Sequence, residues 1–164
     1  MYDVALLIER QLTDLDADQL LSLHEGLDET VTYHLLLPVD TSSALLASSM
    51  SALGGGQIVS IGDADVIADV QDEMTTSGQA ELDASAALLT GRGQQVTATL
   101  TEDDPVQALC ALVESTSAAE AIILTEPHVV REFLHLDWTS RAKRALDVPT
   151  LHLLEHVPFS AQAP

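Results

Sequence analysis

DPVQALCALVESTSAAEAIILT, residues 104–125, reads as a helix running into a strand, and that succession decides the class of fold. Asp104-Pro105-Val106-Gln107 has the form of a capped helix start, with an acidic N-cap, proline at the first helical position and Gln107 where a capping box places an amide. The helix it opens repeats Val106, Leu109, Cys110 and Val113, which gives one apolar face. AIILT at 121–125 is short and apolar throughout, as a strand covered on both faces is. An amphipathic helix feeding a buried strand is the repeating unit of a parallel α/β sheet.

The same alternation extends in both directions. Upstream, VTYHLLLPV at 31–39 predicts a central strand, and Asp40, Thr41, Ser42 and Ser43 offer N-cap chemistry for a helix through Leu53 that Gly54, Gly55 and Gly56 stop. A short strand is expected at Gln57 to Ile61. Helical periodicity follows in Val66, Ile67, Val70 and Met74, with a break expected near Ser77-Gly78 and more helix to Leu89. Val96, Ala98 and Leu100 alternate as a strand. Downstream come a glycine-free loop, EPHVVREFLHLDW, a helix from about Trp138 to Leu146, and a last strand at Pro149 to Leu154. Five strands separated by helices predict a parallel sheet with right-handed crossovers and helices on both faces. Ligands on such sheets bind beyond the carboxyl ends of the strands, where the strand order reverses.

The opening MYDVALLIERQLTDLDADQLLSLHEGL predicts one or two short amphipathic helices that dock on the sheet domain, an N-terminal helical extension over 1–30 beside an α/β domain over 31–164. Asp14, Asp16, Asp18, Ser22 and Glu25 match five positions of a calcium-loop template, but Gln19 stands where the sharp turn wants glycine. An acidic first turn of a helix is the expected explanation, and no metal site is expected.

A chain of 164 residues, 46% of them hydrophobic, is large enough for one domain with its own core. Six basic residues against 26 acidic ones leave a formal charge of -20, which repels nucleic acids and anionic membranes. Aromatics make up only 3%, so no stacking surface for bases is expected either. The opening lacks a basic leader and has only a short apolar run, so neither a signal peptide nor a membrane span is expected, and a cytoplasmic location is. Arg131, Arg141, Lys143 and Arg144 cluster, which suits either an anion site or ion pairing with the acidic shell.

Catalytic chemistry is not expected. Cys110 is the lone cysteine, set in an apolar helix face, and no GxSxG, HExxH or GxxxxGK[ST] motif occurs. His152 and His156 lie four apart on a strand rather than a helix, a poor arrangement for sharing a metal. His34 alternates with apolar neighbours, as a hydrogen-bonded sheet histidine does.

LLLPVDTS at 35–42, DPVQALCALVESTSAAEAIILT at 104–125 and VPTLHLL at 148–154 together resemble the universal stress protein family in order and spacing over residues 31–157. The resemblance implies a nucleotide-binding alpha-hydrolase-like fold with strand order 3-2-1-4-5. In that family an acidic residue after the first strand lies near the adenine, and a loop of pattern G-x2-G-x9-G-[ST] after the fourth strand holds ribose and phosphates. Asp40 matches the first feature. Thr125, His128 and Trp138 stand where the three glycines belong, and Thr139 keeps the hydroxyl position.

A β-carbon where main chain must take positive φ or touch a phosphate costs about 1 kcal/mol or more, and an indole also fills ligand volume. The resemblance therefore points to the branch without the nucleotide motif, whose members act through dimerisation and protein partners. No cofactor, and no ATP, is expected. A homodimer through residues 149–157 is expected, because that strand would lie at the sheet edge. The other candidate role is a small-ligand sensor holding a nucleotide, phosphorylated metabolite or carboxylate at the loop after strand 4. Its candidate residues are Asp40, Thr41, Thr125, His128, Arg131, Trp138, Thr139, Ser140 and Arg141.

Overall fold

The computed structural model describes residues 1–39, 64–125 and 144–162. Among them are β1 (Tyr2–Leu7), α1 (Asp14–Leu23), β2 (Val31–Pro38), α2 (Ala64–Gly91), β3 (Gln95–Thr101), α3 (Pro105–Thr116), β4 (Glu120–Thr125), β5 (Thr150–Leu154) and α4 (Phe159–Gln162). The five strands form one sheet in the order β3-β2-β1-β4-β5, and every neighbouring pair is parallel. The expected order is therefore observed, with a different membership.

The central strand is Tyr2–Leu7, so residues 1–30 are not a helical extension. They hold the middle of the sheet and the first crossover helix. Val4, Ala5, Leu6 and Leu7 are buried on both faces, against β2 on one side and β4 on the other. A five-residue apolar run between Asp3 and Glu9 satisfies helix and strand patterns equally, and only the partners decide. The helix expected through Leu53 and the strand expected at 57–61 lie outside the described residues.

The period-two alternation of the strands divides the core into two layers. Val4, Leu6, Ile8, Tyr33, Leu35, Leu37, Ile122, Leu124 and Leu153 face one way, toward Ala17 and Leu20 of α1 and Leu82 and Leu89 of α2. Ala5, Leu7, Leu36, Ala121 and Ile123 face the other, toward Val106, Leu109 and Val113 of α3 and toward Leu146. The first two crossovers thus carry α1 and α2 on one face, and the third carries α3 on the other. The chain reverses direction across the sheet between β1 and β4. That gap is the topological switch point.

Two local expectations change. Helix α2 runs unbroken through Gly78. A β-carbon there would lie 3.0 Å from Val39 Cγ2 and 3.2 Å from Leu100 Cδ1, so the glycine admits close packing of helix on sheet and does not end the helix. At α3, Asp104 caps as expected, its carboxylate accepting from the Val106 and Gln107 amides, and Ser117 closes the helix in the left-handed region at φ 51°. Cys110 on that helix is half-buried rather than core.

Candidate functional site

The carboxyl end of the sheet brings together the buried polar residues Asp16, Thr125 and Glu155. After β1 the chain continues through Ile8, fully buried, to Glu9 and Arg10. Ile8 N–H still donates to the Leu36 carbonyl, and then the backbone leaves the sheet. The amides of Glu9 and Arg10 turn to a side chain at the switch point. Both donate to one oxygen of Glu155, at 2.9 and 3.1 Å.

Glu155 follows β5 and extends it, its N–H donating to the Thr125 carbonyl. In the alternation of that strand it shares the inward phase of Leu153, and only 1% of its surface is exposed. Neighbouring strands lie about 4.8 Å apart, so a side chain from β5 that reaches the loop after β1 crosses the end of β4. Glu155 therefore spans the switch point. Its Oε2 is buried and has no hydrogen-bond partner among the described residues. Burial pushes the carboxyl up to about 8, the Glu9 and Asp16 charges push the same way, and the two amide hydrogen bonds only partly offset this. On balance this environment favours the neutral acid form of Glu155.

The next residue, His156, takes a left-handed backbone at φ 60°, which turns its N–H toward Asp16. Asp16 Oδ1 accepts that N–H at 2.6 Å, and Oδ2 lies 2.8 Å from His156 Nδ1. Asp16 is wholly buried and also belongs to the capping box of α1, accepting from the Thr13 amide and hydroxyl. Burial by itself would raise this carboxyl. The hydrogen bonds from Thr13 and His156 together outweigh it and hold Asp16 below the usual carboxylate range. Gln162 of α4 then folds back, accepting from Leu154 N–H at 2.7 Å and donating to the Leu154 and Val157 carbonyls.

Of the residues expected at the site, Thr125 lies within the described structure. It is the last residue of β4, 5% exposed, with its hydroxyl 2.7 Å from His152 Nε2 on β5. Asp40, Thr41, His128, Arg131, Trp138, Thr139, Ser140 and Arg141 lie outside the described residues. The strand assignment nonetheless moves one of them: Asp40 follows the second strand, and the acidic residue after the first strand is Glu9. Glu155, Asp16 and His156 were not anticipated as a group.

The remaining candidate chemistry is structural. Arg92 at the end of α2 grips Asp14 and Asp18, two acidic residues of the calcium-loop pattern, and Asp16 between them is taken up by Thr13 and His156. His34 joins Thr97 and Asp3 across three strands, as a sheet histidine does. At the opposite end of the sheet His24 bridges Glu120 and the Tyr33 hydroxyl. Burial, helped by the Glu120 charge, raises the Tyr33 phenol, which keeps it protonated. The Cys110 thiol is raised by burial and by the Glu114 and Asp104 charges, which disfavours the nucleophilic thiolate. No group of three or more metal-ligating side chains occurs among the described residues, and no helix there is long and apolar enough to cross a membrane.

No protein-family model matches the sequence, and no curated protein matches it. Solved structures do match the fold. A hypothetical protein used as a test case for assigning biochemical function from structure aligns with a TM-score of 0.62 at 11% identity, covering 92% of this chain and 95% of that one. A universal stress protein from Archaeoglobus fulgidus aligns with a TM-score of 0.54 at 10% identity, covering 93% of each chain. The universal stress protein of that organism in complex with dAMP aligns with a TM-score of 0.51 at 11% identity, covering 93% of this chain and 97% of that one. The five-stranded parallel sheet in the order 3-2-1-4-5 is thus the one these structures share with this chain.

Proposed function

We propose that this chain, with its universal-stress-protein-like fold, is a non-enzymatic regulatory or scaffold domain that does not bind ATP in that family's manner. The observation that carries the reading is Thr125. It stands where the family's nucleotide loop begins with glycine, is buried, and has its hydroxyl engaged with His152. A ligand phosphate approaching bare main chain there would meet a β-carbon and a committed side chain. The Glu155 carboxyl on the Glu9 and Arg10 amides adds to this, because it occupies the switch-point donors itself.

The assembly we propose is a homodimer through residues 149–157. Strand β5 is the sheet's edge, paired with β4 on one side, and Leu151 is an exposed hydrophobic on it. Gln162 and Asp16 take up backbone groups of Leu154, His156 and Val157, so the stretch of this edge before Leu154 is the part that would meet a second copy. A protein partner for the dimer fits the same reading.

The second reading is a small-ligand sensor at the loop after β4, favoured by the fold's likeness to the Archaeoglobus protein in complex with dAMP. Native mass spectrometry of the purified protein separates the two. The scaffold reading predicts twice the chain mass with nothing bound. A co-purifying nucleotide or phosphorylated metabolite would establish the sensor instead, and a monomer at micromolar concentration would remove the dimer.

A further inference from the structure

We propose that the paired amides of Glu9 and Arg10 form an acid-group subsite, and that Glu155 is its tethered occupant, a latch that closes the switch-point crevice against external carboxylic acids. The inference deepens the reading above and rests on the switch-point end being the functional end of the domain.

The geometry has three parts. First, two successive backbone N–H groups converge on a single oxygen, which is how main chain receives a ligand acid group at the carboxyl end of a parallel sheet. Second, the occupant is poorly satisfied: Glu155 Oε2 is buried and has no hydrogen-bond partner among the described residues, so the contact closes the crevice at a cost to the fold. Third, the latch is a short terminal segment with its own fastenings. His156 is held in a left-handed turn by Asp16, and Gln162 clasps the end of β5. Releasing residues 155–162 would withdraw the carboxyl and leave the strands paired.

The charges around Glu155 set when it leaves. Glu9 on the β1 loop and Asp16 on α1 oppose its ionisation, Arg10 is drawn aside toward Glu81 of α2, and Thr125 of β4 is committed to His152. Ionisation of Glu155 puts a charge in a buried neighbourhood, where burial and the Glu9 and Asp16 charges oppose it and the two amide hydrogen bonds favour it. An external monocarboxylate then competes for the two amides.

Amide chemical shifts in the full chain test this, with propionate as the probe and chloride at equal ionic strength as the control. In Glu155→Ala, propionate should move the Glu9 and Arg10 amides saturably at neutral pH, and in the wild type it should not. Unmoved amides in Glu155→Ala, or equal movement in both proteins, would overturn the proposal. If that variant does not fold, two other measurements decide. The wild-type Glu155 carboxyl shift should titrate near pH 8 together with both amides, and Glu155→Gln should hold the amides still over the same range. Titration near an ordinary carboxylate value, or amides that ignore it, would refute the latch. ATP binding by the wild type would count against the proposed function while leaving the propionate result readable.

Discussion

Two buried carboxyls close to one another, Glu155 and Asp16, are driven in opposite directions by what they touch. Glu155 is raised from 4.5 to about 8, so between those values the folded state holds a proton that the unfolded chain releases. Its contribution to stability is complete below 4.5, declines as pH rises, and is gone above about 8. Asp16 is lowered from 3.8, so its contribution is present above that value and is lost as pH falls through the lower folded one. Glu155→Gln should therefore flatten the decline in stability between about pH 5 and 8, read as urea midpoints across that range. An unchanged slope would mean that Glu155 is ionised in the folded protein. Asp16→Asn loses charge-assisted hydrogen bonds from Thr13 and His156, and should cost about 1–3 kcal/mol at neutral pH by the same measurement.

Among the elements, β1 carries the fold and was the hardest to read. The cap at Asp104, the strand at 121–125 and the edge strand after Pro149 were legible because each announces itself locally, through a side chain that meets nearby amides or a run flanked by breakers. Tyr2–Leu7 has no such marker; its identity comes from β2 and β4, whose partners are distant in sequence. Gly78 misled for a related reason, since its role depends on Val39 and Leu100 across the packing interface. The Glu155 bridge was illegible because it joins residues 146 apart in the chain. Leu6→Ala should cost about 2–5 kcal/mol, a central-strand penalty that a peripheral helix would not show. Gly78→Val should destabilise by about 1–3 kcal/mol, because its methyl groups must enter space held by two side chains. Chemical denaturation checks both.

For the whole molecule the dominant quantity is a formal charge of -20 on 164 residues. Self-repulsion of that size opposes compaction and is screened by salt. Raising sodium chloride from low concentration to about 0.5 M should raise the melting temperature by a few degrees, since six basic residues against 26 acidic ones limit how many ion pairs can be weakened in exchange. On the proposed reading, the same field repels a triphosphate before it reaches the sheet, where a buried Thr125 and the Glu155 carboxyl on the switch-point amides would oppose it. Charge and local sterics thus act in the same sense. Isothermal titration of the wild-type protein with millimolar ATP and magnesium is the most direct test of the account. It predicts no saturable heat, and a dissociation constant in the micromolar range would contradict it.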